Sequence, residues 1–265
     1  MNENFTSLVF FTVLCQTAAG ALIFRGLTLI WKSNETFAFE SARFTLPAIS
    51  FLLIISLVLA FFHLGKPVHA INAINNLSKS WLSREILFLS ILIALVISLM
   101  LINNRSSISK IEPVFFIASL ITGISLVYSM IRIYMIPVII NWYNPFTAVS
   151  FICSTLLCGL AYFMIFNHRL STSMNSTAII LIAIFILSSF INSTLFKGSF
   201  IGSNIWLYVI RTILLFIALS IVAAFFFSAR LNKMFSLWVI LFIMIICSEL
   251  INRFIFFLSF EKSVL

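Results

Sequence analysis

The sequence predicts an all-α integral membrane protein: about eight transmembrane helices packed as one polytopic domain over residues 1–265, with both termini on the same side of the bilayer. Composition gives the first reason. With 62% of residues hydrophobic and 9% charged, the protein has too little polar surface to coat a soluble globule of 265 residues. Spacing gives the second, because the apolar residues fall into runs at 5–31, 44–64, 86–102, 114–137, 146–166, 176–196, 205–228 and 235–260. Each is close to the roughly twenty residues that a helix needs to cross a hydrocarbon core of about 30 Å. The third is continuity: the runs lack the two-residue alternation of a membrane barrel. An even number of spans returns the polypeptide to its starting side.

In order, the first run follows Met1-Asn2-Glu3, an acid where a cleavable signal carries lysine or arginine, so it is expected to stay in the membrane. It holds Gln16 inside the small-residue stretch Cys15 to Gly20, either a packing face or a group reaching a pocket. It also holds Arg25, expected to snorkel to the nearer surface or to pair with a carboxylate. The second run ends on His63, where Gly65 and Pro67 stop a helix. In the connection that follows, Val68, Ile71, Ile74 and Leu77 recur every three residues and predict a short amphipathic helix lying in the interface. Glu85 opens the third run behind Ser83, a candidate cap. Arg132 lies late in the fourth, Arg211 early in the seventh, and Glu249 and Arg253 late in the eighth. Pro47, Pro113, Pro137 and Pro145 are expected at helix ends, and Trp81, Trp142 and Trp206 as interfacial anchors.

A net charge of +9 would suggest nucleic acid in a soluble domain. Here the cations stand singly between apolar runs, so they are expected to meet the lipid bilayer and no nucleic acid. The four cysteines form no Cys-x-x-Cys pair and read as buried, inert thiols, with no iron–sulfur or zinc site. With three histidines, of which His69 and His168 lie in connections, His63 lacks an axial partner, and no haem is expected.

The ionisable groups inside the runs carry the functional argument. Each costs roughly 2.5 to 3.5 kcal/mol at a helix centre, so such groups pair, face a cavity or serve a site. Alternating spans put His63, Glu85, Arg132, Arg211, Glu249 and Arg253 in one half of the membrane and Arg25 in the other, which predicts one polar pocket near one surface. A hydroquinone that gives up two electrons sheds two protons. Histidine suits the hydrogen-bond acceptor at one hydroxyl and glutamate the onward proton carrier, with Arg84 or Arg132 holding the glutamate ionised. The plainer readings stay open beside these: His63 as a helix-end ring among headgroups, Glu85 as a carboxylate on a helix dipole, and Glu249 with Arg253 as an intrahelical ion pair four residues apart.

The stretches His63-Leu64-Gly65-Lys66-Pro67, Ser83-Arg84-Glu85-Ile86, Met130 to Tyr134, Trp142 to Pro145 and Glu249 to Arg253, in that order and spacing, resemble the membrane-anchor subunits of bacterial dimethyl sulfoxide reductases. The resemblance points to His63 as the quinol-site histidine and Glu85 as the downstream proton acceptor or relay; the residues themselves add Gly65, Arg84 and Arg132 as quinol-binding candidates, and Gln16, Arg211, Glu249 and Arg253 in structural or supporting places. It implies menaquinol as bound substrate and an iron–sulfur subunit and a molybdopterin catalytic subunit as partners, the anchor itself reducing no terminal oxidant. It further implies a bacterial inner membrane with the termini on the periplasmic side, in agreement with a slight excess of Lys and Arg in the connections on the other side. An alternative reading is a small polytopic transporter or ion-translocating subunit, which also uses ionisable groups within helices, although usually at the midplane among broken helices.

Overall fold

The computed structural model describes residues 3–31, 35–63, 76–103, 111–139, 142–168, 172–196, 205–228 and 230–261. Among these residues the protein is helical, without strands: α1 Glu3–Trp31, α2 Glu35–His63, α3 Trp81–Asn103, α4 Glu112–Tyr134, α5 Pro145–Asn167, α6 Thr172–Phe196, α7 Ile205–Phe227 and α8 Phe235–Glu261, with a 3-10 turn at Leu231–Lys233. All eight are long and apolar enough to cross a membrane, so the eight spans read from the sequence stand and this is a multi-pass membrane protein.

The helices form two compact units, Met1–Tyr134 and Met135–Leu265. In the first, α1 packs on α2 and α4, and α3 packs on the same two. In the second, α5 packs on α6 and α8, and α7 packs on the same two. Each unit is therefore a four-helix ring in which neighbours in sequence are neighbours in space, as short connections between antiparallel helices require. On α3 the buried face is Leu89, Leu92, Val96 and Leu99, a spacing of three and four that keeps one side of the helix inward.

Small residues set how near α1 and α4 come. A Cβ added at Gly26 would stand 2.9 Å from two atoms of the Phe116 ring, while one at Gly123 would meet Ala19 no nearer than 3.7 Å. Membrane helices gain nothing from burying apolar surface against one another rather than lipid, so such close contact supplies the attraction.

Several local expectations change. Pro47 lies inside α2, because that helix starts at Glu35, well before the apolar run. A proline there cannot donate to the carbonyl four residues back, which kinks a helix. Helix α3 starts earlier than its apolar run as well, and Ser80, not Ser83, caps it: Ser80 Oγ accepts the Ser83 amide at 3.3 Å. Glu85 is thus its fifth residue, a turn deeper than a carboxylate held by the helix dipole. Pro145 opens α5 as expected, behind Asn144, whose side chain accepts the Phe146 amide at 3.0 Å. Trp142, expected as an interfacial anchor, is buried between the start of α5 and the end of α8; its indole N–H donates to Ser259 Oγ at 2.9 Å and Phe256 O at 3.1 Å, and its ring stacks on Phe256. Of the expected interfacial helix, residues 67–75 lie outside the described residues, and Asn76 to Lys79 form a turn.

The Gly26 contact yields a comparison of two substitutions. Gly26→Val drives side-chain atoms into Phe116 and is expected to lower the stability of the detergent-solubilised protein by about 1–3 kcal/mol. Gly123→Ala, with ordinary contact distances, is expected to change it by less than about 0.5 kcal/mol. Thermal unfolding of the two variants beside the native protein checks both.

Candidate functional site

Glu85 is carried into the core of the first bundle by its place one turn inside α3. It is 2% exposed, and its Oε1 has no hydrogen-bond partner among the described residues. The side chain placed within its reach is neutral. The Cys15 thiol of α1 lies against Ser56 of α2 and within electrostatic reach of the Glu85 carboxyl, while the Ser56 hydroxyl donates to Leu52 O at 2.7 Å within its own helix. Gln16, next to Cys15, is fully buried. His63 closes α2, but its side chain lies outside the described residues, as does Gly65. What can be placed is the run of α2 from Ser56 to its end at His63, two turns, which is the end of the bundle at which α3 begins.

The expected arginine partners of Glu85 are engaged elsewhere. Arg84 Nε donates to Leu77 O and its Nη2 to Ser78 O, both at 2.8 Å, and its guanidinium carbon lies 4.2 Å from the centre of the Trp81 ring. Arg132, exposed on α4, stands 5.3 Å from the same ring. Neither forms an ion pair with Glu85 among the described residues. The cause is position: Arg84 is three residues from Trp81 on one helix face, which draws its side chain over the indole and back to the turn.

In the second bundle a buried carboxylate meets the opposite treatment. Glu249 on α8 receives Ser154 Oγ of α5 and Ser189 Oγ of α6, each at 2.6 Å, and Asn252 Nδ2 at 3.2 Å. Arg211 of α7 pairs with it at 3.6 Å and donates through Nη2 to Ser189 Oγ at 2.7 Å. The partner brought to Glu249 is thus Arg211 from another helix, whereas the Arg253 guanidinium carbon lies 3.6 Å from the Phe151 ring centre. Sequence reasoning singled out Arg211, Glu249 and Arg253 but missed the serines, because a serine in an apolar run most often bonds the carbonyl one turn back, as Ser56 does.

Beside this network lies a cavity of about 20 Å³, lined by Thr147, Ser150, Asn192, Tyr208, Asn252 and Phe256 among others. It has room for about one water and none for an aromatic ring. Arg25, the last ionisable group noted in the spans, is fully buried in the first bundle, with Glu112 of α4 at 3.7 Å and the Phe116 ring centre at 5.2 Å. Glu112 is the carboxylate that the sequence left unidentified. Among the described residues, no three of the His, Cys, Asp and Glu side chains come together as metal ligands.

The sequence matches the family model described as DMSO reductase anchor subunit (DmsC) over residues 1–258. It is similar to the C subunit of anaerobic dimethyl sulfoxide reductase from Haemophilus influenzae, 34% identical over 157 residues that make up 58% of this protein and 55% of the relative. Two anaerobic dimethyl sulfoxide reductase subunits of Escherichia coli are similar too: YnfH, 29% identical over 57% of this protein and 54% of its own length, and the C subunit, 27% identical over the same shares. The matched segment spans about half the length of these curated relatives.

The Glu249 network predicts a stability effect separable from activity. Arg211→Met leaves the carboxylate buried without its cation and is expected to destabilise the protein by about 3–5 kcal/mol, and adding Glu249→Leu is expected to recover most of the loss. Denaturant titration of the purified single and double variants measures this.

Proposed function

The protein belongs to the DMSO reductase anchor subunit family, and from that membership we propose that it anchors a molybdenum oxidoreductase complex in the bacterial inner membrane and oxidises a hydroquinone. The site is the end of the first bundle where α2 finishes at His63 and α3 begins. The observation that carries this reading is Glu85: a carboxyl group 2% exposed, with one oxygen lacking a partner and no ion pair among the described residues. A buried acceptor left unmet costs free energy. A ligand hydroxyl that donates to it recovers that cost, so the site favours a hydrogen-bond donor such as a quinol.

In the reaction, menaquinol enters from the bilayer and its two hydroxyls meet His63 and Glu85. The quinol loses two electrons and two protons and leaves as quinone. His63 accepts one proton, being able to titrate near neutrality, and Glu85 accepts the other and passes it to water at the membrane surface. Arg84, through its bonds to Leu77 O and Ser78 O, fixes the turn that leads into α3 beside Glu85. Gln16 supports the site from α1. The electrons go to an iron–sulfur subunit seated on the periplasmic surface and from there to a molybdopterin subunit, which reduces dimethyl sulfoxide or a related oxide. The Glu249 network does not compete for this role, since its carboxylate is met from all sides and the adjoining cavity is too small for a quinol ring.

His63→Ala and Glu85→Gln, each assembled with the partner subunits, are expected to lose quinol-dependent electron transfer about a hundredfold or more, while the catalytic subunit keeps its activity toward an artificial soluble donor. Native quinol turnover in both variants would remove the site from this end of the bundle.

A further inference from the structure

The Trp81 indole carries two guanidinium groups, Arg84 at 4.2 Å and Arg132 at 5.3 Å, and the Tyr128 ring meets it edge-on at 5.6 Å. A neutral ring attracts each cation but cannot cancel the two charges. No carboxylate lies within ion-pair distance of either arginine among the described residues. Arg84 spends its Nε and Nη2 on backbone carbonyls, whereas Arg132 is exposed and, among the described residues, engages only the ring. Two guanidinium groups gathered on one indole, with donors to spare, leave positive charge that no described carboxylate answers.

The surface below indicates where the anion comes from. On α4 the residues Ile117, Ile121, Ile124 and Tyr128, each more than half exposed, follow one another at spacings of four, three and four, and Arg132 comes four residues further on. They form one outward stripe. From Ile121 to Arg132 the helix rises about 16 Å, close to the depth of one leaflet's hydrocarbon. An apolar stripe of that length, capped by a tyrosine, a partly buried tryptophan and two arginines, matches a phospholipid from its acyl tail to its phosphate: tail on the isoleucines, glycerol region beside Tyr128, phosphate at the guanidiniums, which grip phosphate oxygens well.

We propose that the Trp81, Tyr128, Arg84 and Arg132 surface of the first bundle is a binding site for an anionic phospholipid. An acidic face of a partner subunit fits less well, because the cations sit at the head of a lipid-facing stripe and not on an exposed polar loop. The site does not depend on quinol chemistry at Glu85.

Native mass spectrometry of the full-length protein, released from detergent after addition of phosphatidylglycerol or of phosphatidylcholine with the same acyl groups, tests this. The native protein is expected to retain phosphatidylglycerol several-fold more than phosphatidylcholine. The preference is expected to fall in Arg132→Gln and to vanish in Arg84→Gln with Arg132→Gln. Equal retention of the two lipids by the native protein overturns the proposal, and that comparison needs no variant to fold. A preference that survives in the folded double variant overturns it as well. Inorganic phosphate in excess is expected to leave the bound lipid in place; displacement would reassign the arginines to a soluble anion. In the assembled complex, cross-linking of the Arg132 position to a partner carboxylate, with lipid lost from the patch, would reassign them to a protein interface.

Discussion

A carboxylate inside a helix bundle within a membrane has no water to turn to, and how the protein answers that constraint separates its two halves. In the second bundle the answer is complete. Glu249 draws Ser154 from α5, Ser189 from α6 and Arg211 from α7 onto α8, so one side chain ties together all four helices of the ring. Where lipid competes equally well for apolar side chains, such directional bonds fix which helix faces meet. The register of α5 to α8 follows from that single group.

The first bundle answers differently at its two ends. At one, Arg25 is met by Glu112 and a phenylalanine ring that only a glycine at position 26 leaves room to approach. At the other, Glu85 is buried to the same degree as Glu249, yet what reaches it is the neutral Cys15 thiol, and its Oε1 has no hydrogen-bond partner among the described residues. Arg84, its neighbour in sequence, and Arg132 on α4 are held on Trp81 instead. A carboxyl buried without a cation among the described residues is the feature on which the proposed quinol site rests. That contrast supports reading the Glu85 end as the place of chemistry and the Glu249 network as scaffold.

The same arrangement gives the two arginines a purpose outside the quinol site. Arg84 steadies the turn before α3 through two carbonyls and shares an indole with Arg132, and together they present charge at the head of an exposed apolar stripe. An anionic lipid held there would fix the depth of α3 and α4 in the bilayer, and with them the depth of Glu85.

The number, length and all-helical nature of the spans were legible in the sequence, because hydrocarbon thickness dictates run length and leaves the backbone no alternative to internal hydrogen bonding. The unusual residues were legible too: Gln16, Arg25, Glu85, Arg132, Arg211, Glu249 and Arg253 stand out in apolar runs simply because they are expensive there. Their partners were not. Whether Glu249 would bond Arg253 on its own helix or Arg211 on another, or whether Arg84 would reach Glu85 or Trp81, depends on which faces turn toward each other, and apolar runs with little amphipathic bias do not specify rotation. The start of α2 ahead of Pro47, the Ser80 cap and the burial of Trp142 likewise rest on contacts between distant segments. Sequence by itself determined that the protein crosses the membrane and which groups must be accommodated inside it; tertiary structure alone decided which carboxylate is neutralised and which is left open, since that choice is made by the packing of helices and not by any one of them.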